Sequence, residues 1–259
     1  MTAVPLADIA RHLDAVLRID EVPDFAGALN GVQVETEVPI TKVAAAVDAR
    51  ERTIRAAIDA GADLLVVHHG LFWNGTQPLR GAFLRRVRML LENDLAIYSA
   101  HLPLDMHPEL GNNVLLAREL GLDPSAGFAR YKTIEIGVAG MCDVPTPELV
   151  SRATRFARTH GHVVRTAGLV EGKVSRRFAI CTGAGAGQET LREAVMSAVD
   201  TLIVGEGPHW TAIDAEEAGL TIIYAGHYAT ETLGVRALAA HIGDTFGVPW
   251  LFLDAPTGL

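Results

Sequence analysis

The chain has 259 residues, 49% of them hydrophobic and 20% charged, with a formal net charge of −9. That length and composition suffice to bury a core without disulfide or metal staples, and they exclude intrinsic disorder. Lys and Arg gather only in short patches such as 85-RRVR-88 and 176-RR-177, so nucleic acid and anionic membranes are not expected as partners, and no apolar run reaches the roughly 18 residues of a membrane span.

The first twenty residues, MTAVPLADIARHLDAVLRID, carry Asp8 and Asp14 inside an amphipathic helical pattern, which argues for a cytoplasmic chain without a targeting segment. From about residue 40 short apolar runs alternate with helical patterns. Strands are predicted over 42–47, 63–67, 95–99, 132–140, 175–181, 200–204, 220–225 and 249–253, and helices over 50–60, 82–93, 146–160 and 188–199. This alternation is the pattern of βαβ units, so the predicted class is α/β, two αβα-type units with mainly parallel sheets. The stretch 121-GLDPSAGFARYK-132 collects Gly, Pro and Ser between a helix and a strand and marks a boundary. The expected first domain is 1–125 completed by 220–259, with 126–219 a second α/β domain inserted between. Cys142 and Cys181 belong to no CxxC pair and read as core thiols.

Four predicted strands end in polar clusters. After 63–67 come His68, His69 and Gly70; after 95–99 comes 100-AHLPLD-105; after 200–204 comes 205-GEGPHW-210; after 220–225 comes 226-GHYATE-231. In open parallel sheets ligands bind beyond the carboxyl ends of strands, where loops converge and helix N-termini point. His227 and Glu231 stand four apart at the start of a predicted helix over 228–242, so one helix face presents an imidazole and a carboxylate together. His68 and His69 would face opposite ways within a strand, but past its end a turn at Gly70 can aim both into one cleft. Two neighbouring imidazoles suit two neighbouring ions, with Asp105 an anionic ligand and Glu231 a bridge. A metal site is therefore expected at strand C-terminal ends in the cleft between the units.

Other polar residues take plainer readings. Asp105 and Asp48 both allow a helix N-cap, which is the preferred role for Asp48. His12, His107, His160, His162 and His241 fall on polar helix faces or in loops and are read as structural. The loop 182-TGAGAG-187 lacks the Lys-Ser/Thr of a Walker A loop and does not match GxGxxG, so it reads as a tight strand-to-helix turn.

The ordered motifs 30-NGVQVE-35, 68-HHGLFW-73, 97-IYSAHLPLD-105, 182-TGAGAG-187, 205-GEGPHW-210 and 226-GHYATE-231 together resemble the Nif-three-like family of dinuclear metal-centre proteins, also described as GTP cyclohydrolase I type 2 homologues. The resemblance runs through most of the chain. It implies two divalent ions per chain on His68, His69, Asp105, His227 and Glu231, a toroidal homohexamer, and a metal-dependent hydrolase acting on a small-molecule substrate. His101 and His209 match motif positions that either support the metal ligands or face substrate; they rank below the five and are candidate proton shuttles. The chain departs from the pattern where many relatives have Thr-Asn, carrying Leu102, Pro103 and Leu104 instead. Imidazole nitrogens with carboxylate oxygens suit Zn, Fe, Mn, Co or Ni. A non-catalytic role in metal handling or regulation is the alternative.

Overall fold

The structure, a computed structural model, describes residues 2–258. In chain order its elements are α1 Leu6–Leu17, β1 Gly31–Val34, β2 Val43–Asp48, α2 Glu51–Asp59, β3 Leu64–His69, α3 Gly81–Glu92, β4 Ala96–Ser99, α4 Leu102–Asp105, α5 Asn112–Glu119, β5 Ala126–Tyr131, β6 Ile134–Pro145, α6 Thr146–Thr159, β7 Arg165–Ala167, β8 Val174–Cys181, α7 Gln188–Met196, β9 Thr201–Val204, α8 Trp210–Glu217, β10 Thr221–Tyr224, α9 His227–Thr230, α10 Thr232–Phe246 and β11 Trp250–Phe252. The class is α/β, as expected. No described helix is long and apolar enough to cross a membrane.

Two compact units divide the chain: Met1–Leu104 with Gly234–Ala255, and Asp105–Leu233 with Pro256–Leu259. In the first, the sheet order is β1-β4-β3-β2-β11. All its pairings are parallel except that of β1 with β4. The middle strands VAAAVD and LLVVHH read as continuous apolar runs because both sheet faces are covered. Ala44, Ala46, Leu65, Val67 and Ile97 pack with Ile54 and Ala57 of α2 and Phe83 and Leu90 of α3. On the other face Tyr98 donates its hydroxyl hydrogen to Asp14 of α1 at 2.8 Å.

The second unit holds a sheet in the order β5-β6-β8-β9-β10-β7. Leu116 and Ala117 of α5 and Leu149 and Ala153 of α6 pack on one face with Phe178, Ile180 and Ile203. Leu191 and Ala194 of α7 and Ala215 of α8 cover the other, with Ala179, Leu202 and Val204. Here the sheet is mixed rather than mainly parallel: β8, β9 and β10 run parallel, while β5, β6 and β7 pair antiparallel. The cause is local. Residues 132–133 form a two-residue turn, with Lys132 at φ 50°, and a connection that short joins only antiparallel strands.

The unit boundaries also differ from those expected at 125 and 220. The Gly- and Pro-containing stretch over 121–132 runs into an edge strand, β5, instead of linking domains. Helix α5 contributes Leu116, Ala117 and Leu120 to the second core, and β10 pairs with β9 and β7. Only the last long helix and strand return to the first unit.

Candidate metal centre

In the first unit, β4 stops pairing with β3 at Val67↔Ser99, so His68 and His69 lie beyond the last ladder pair on that side. Their rings converge although β3 extends through both, with centroids 4.8 Å apart. His101, just past β4, brings a third ring 4.8 Å from His68 and 5.7 Å from His69. One ring nitrogen from each of the three lies within 4.8 Å of the others. His101 thus stands among the candidate donors of this unit, rather than apart from them as a proton shuttle alone.

Each imidazole is held through Nδ1. His68 Nδ1 is 2.9 Å from the carbonyl oxygen of Ala100, His69 Nδ1 is 3.1 Å from Asp48 Oδ1, and His101 Nδ1 is 2.8 Å from Asp24 Oδ1. A carbonyl or carboxylate on Nδ1 keeps the proton there and turns the Nε2 lone pair outward. Asp48 is therefore not the cap expected of it. Arg50 occupies the N-cap of α2, while the register pair Asp48↔His69 sets the carboxylate beside the ring. Asp24 also accepts from Asn30 Nδ2 at 2.8 Å and from the Leu102 amide at 2.9 Å, and Asn30 Oδ1 accepts from the His101 amide. Burial alone would raise the Asp24 pKa; the hydrogen bond and charge of His101, with Asn30 and the Phe25 amide, outweigh it and hold it below the ordinary value.

The second unit gathers Asp105, His227 and Glu231 about the ends of β8 and β10. Asp105 is buried and accepts from Asn112 Nδ2 at 2.8 Å and from Thr182 Oγ1 at 3.4 Å; Gly111 takes the N-cap of α5. Thr182 and Gly183 are the first residues past β8, and the Gly183 amide donates to Thr230 Oγ1 at 3.0 Å. The turn thereby joins the strand end that touches Asp105 to the helix carrying His227. Gly183 sits at φ +62°, and a Cβ there would lie 2.1 Å from Glu231 Oε1. The Gly-rich loop is the tight turn its sequence suggested, and its lack of side chain makes room for the carboxylate.

His227 and Glu231 meet as their spacing required, with Nε2 to Oε1 at 3.1 Å. The helix expected to run unbroken from 228 is interrupted, since α9 ends at Thr230, Glu231 is its C-cap and α10 begins at Thr232. On the far side of the ring, His227 Nδ1 is 2.7 Å from Glu206 Oε1. Burial disfavours the imidazolium, but the hydrogen bonds and charges of Glu231 and Glu206 prevail and push the His227 pKa up to about 9. The same chemistry that holds a proton between two carboxylates holds a cation.

His209 does not join this pair. It is exposed, at the N-cap of α8, and lines a cavity of about 400 Å³ with His162, Arg165, Glu206 and Tyr224. His160 is buried against Phe156 instead of lying on a polar helix face, with Nε2 3.3 Å from Thr232 Oγ1. His12 and His241 pair with each other at 2.8 Å, and His107 Nδ1 accepts from the Glu109 and Leu110 amides. Cys181 is buried and Cys142 half-buried; burial first, then nearby acids including Asp105 and Glu231, raises the Cys181 pKa, as befits an inert thiol. The residues that reading by motif missed are the anchors Asp24, Asp48 and Glu206. Glu206 had a signal, its place at a strand end; Asp24 is 77 residues from its histidine and had none.

Comparison with known proteins agrees with the motif order. The family model described as Duf34/NIF3 (NGG1p interacting factor 3) matches residues 4–257. A Deinococcus radiodurans protein named GTP cyclohydrolase 1 type 2 homolog is 43% identical over 255 residues, spanning 97% of this chain and 94% of its own. A Pyrococcus abyssi protein of the same name is 41% identical over 254 residues, spanning 97% and 98%. Among solved structures, TTHA1606 from Thermus thermophilus has a TM-score of 0.81 at 37% identity, and protein ybgI a TM-score of 0.87 at 34% identity, each covering 100% of both chains.

Proposed function

The chain belongs to the Duf34/NIF3 family, and on that premise we propose that it is a dinuclear metal-dependent hydrolase of a small molecule, its two divalent ions held by His68, His69, Asp105, His227 and Glu231. The observation that carries the reading is the anchoring of His68, His69, His101 and His227 through Nδ1 to a carbonyl or carboxylate. That arrangement is the one by which proteins orient imidazoles toward metals. The donor set of nitrogens and carboxylate oxygens fits Zn, Fe, Mn, Co or Ni.

When bound, such an ion pair supplies Lewis acidity and lowers the pKa of water at the site. The protein's own part is orientation and proton management. Asp48 and Glu206 fix the rings of His69 and His227, and Asp24 fixes that of His101, whose Nε2 is then available to accept or return a proton. His209, at the rim of the cavity beside Glu206, would meet the substrate there. The relatives' name makes hydrolytic opening of a nucleotide base the first reaction to assay.

Metal analysis of gently purified protein tests the site. We expect about two divalent ions per chain, with Glu231→Gln lowering the occupancy more than His209→Ala; equal metal content in wild type and the Glu231 variant sinks the assignment. Screening the metallated protein against phosphoester, amide and nucleotide panels tests the activity. If it turns over none of them, the reading gives way to metal handling.

A further inference from the structure

The cavity of about 400 Å³ beside Glu206 lies wholly in the second unit, and its size is within the range of ligand pockets, roughly 300–1,000 Å³. Strand register places its polar wall. Arg165 of β7 stands opposite Tyr224 of β10, and Tyr224 opposite Val204, the last residue of β9. Directly opposed residues share a sheet face. Arg165 is therefore on the side of Tyr224, whose hydroxyl meets Thr211 Oγ1 of α8 at 2.8 Å. His209, the N-cap of that helix, and Ala212 within it line the same cavity, and Glu206 bounds it toward His227.

The charges in this wall are unevenly paired. Elsewhere in the unit Arg152 meets Glu148 at 3.0 Å and Arg176 meets Asp143 at 2.9 Å. Arg165 Nη1 reaches only the Val164 carbonyl oxygen, at 3.5 Å, and no carboxylate of the described residues lies within 4 Å of its guanidinium. Glu206 shares the cavity without pairing to it, because its Oε1 is turned to His227 Nδ1 at 2.7 Å. Both Arg165 and His209 are exposed, so a ligand in the cavity can reach them. His162 is wall instead, its ring seated on the turn before His227, where a Cβ on Gly226 would lie 2.6 Å from the His162 Cγ. An arginine fork and an imidazole in one cavity suit an anion with oxygens for both. A carboxylate spends its two oxygens on the fork, whereas a phosphate keeps a third for the ring.

We infer that this cavity binds the phosphate group of a small phosphorylated molecule, through the Arg165 guanidinium and the His209 ring. The inference deepens the proposed function by naming the substrate class, and it rests on that reading for the statement that the ligand is the substrate. In that role the phosphate is a handle, and Glu206, which touches both the cavity and His227, sets the rest of the molecule beside the candidate ligands. The binding itself requires no metal.

Phenyl phosphate and phenol, which differ by the phosphate, test it on full-length protein that has been chelated and dialysed free of chelator. Labelled with 5-fluorotryptophan, the chain gives a fluorine resonance for each of its three tryptophans, and Trp210→Phe identifies that of Trp210, the neighbour of His209. Phenyl phosphate should shift the Trp210 resonance saturably, and phenol should not. Arg165→Met, which keeps the stem and removes the charge, should weaken phenyl phosphate about 10- to 100-fold, and His209→Ala about 3- to 10-fold. Arg165→Lys should restore part of the loss. Arg130→Met, the same change on β5 at the opposite edge of the sheet, should leave the affinity unchanged. The Trp73 and Trp250 resonances and the melting temperature check folding. No saturable shift with phenyl phosphate, an equal response to phenol, or an affinity no lower in Arg165→Met than in Arg130→Met overturns the inference. Binding is read here without metal or turnover. Turnover by the metallated protein with no binding here discards the cavity and keeps the hydrolase, and binding with a failed screen does the reverse.

Discussion

An imidazole with its proton fixed on Nδ1 is a one-sided ligand, and here the fixing groups are as specific as the rings they fix. Asp48 and Glu206 touch His69 and His227 at 3.1 and 2.7 Å. Outer partners of this kind typically contribute about 10- to 100-fold to metal affinity. Asp48→Ala and Glu206→Ala should therefore each weaken metal binding by that order while leaving the fold intact, measured by competition with a chromogenic chelator; unchanged affinity in both would detach the anchors from the site. His227 adds a pH dependence with a definite sign. In metal-free protein its pKa stands at about 9, above the ordinary 6.5. A raised folded-state pKa contributes stability that is fully present below about 6.5 and is lost as pH rises through about 9. The melting temperature of the chelated protein should fall across that window, and Glu206→Gln should flatten the fall. A pH-independent melting temperature would mean that the ring is not charged between the two carboxylates.

At the scale of elements, the turns past the strand ends place the chemistry. Gly183 leaves the space that Glu231 fills, and Gly205 is packed as closely, since a Cβ there would lie 2.8 Å from both the His227 Cα and Thr230 Oγ1. Gly183→Ala adds a methyl group at positive φ against a carboxylate, so it should lower metal occupancy as well as melting temperature, whereas Gly187→Ala, with nothing near its Cβ, should do neither. Occupancy unchanged in Gly183→Ala would show that Glu231 can relocate at no cost. These turns were legible beforehand because each follows an apolar run that ends abruptly in His, Gly or Glu, and because the four-residue spacing of His227 and Glu231 survives the break in the helix. Strands β1 and β7 were not legible: at four and three residues, partly exposed, they carry too few side chains to show a period. Asp24 was hidden for another reason, that no local pattern reports a contact made across 77 residues.

For the molecule as a whole, the question is what the metal holds together. The division of the chain falls inside the short helix 102-LPLD-105 and not in the Gly- and Pro-containing stretch, because β5 and α5 are committed to the second sheet and its core. Each unit encloses its own apolar clusters, built from the aliphatic and aromatic side chains of its own strands and helices. Folding should then depend on burial within the units, while a bound ion adds stability by mass action, about 2.7 kcal/mol for free metal at 100 times its dissociation constant. We expect chelated protein to keep its far-ultraviolet circular dichroism at room temperature and to melt at a lower temperature, recovering when Zn²⁺ or Mn²⁺ is returned. The difference in melting temperature between chelated wild type and chelated Glu231→Gln should change as pH rises through about 9, where His227 gives up its extra proton and the ion pair with Glu231 is lost. Loss of secondary structure on chelation would show instead that the ligands hold the fold, as they do in small zinc domains.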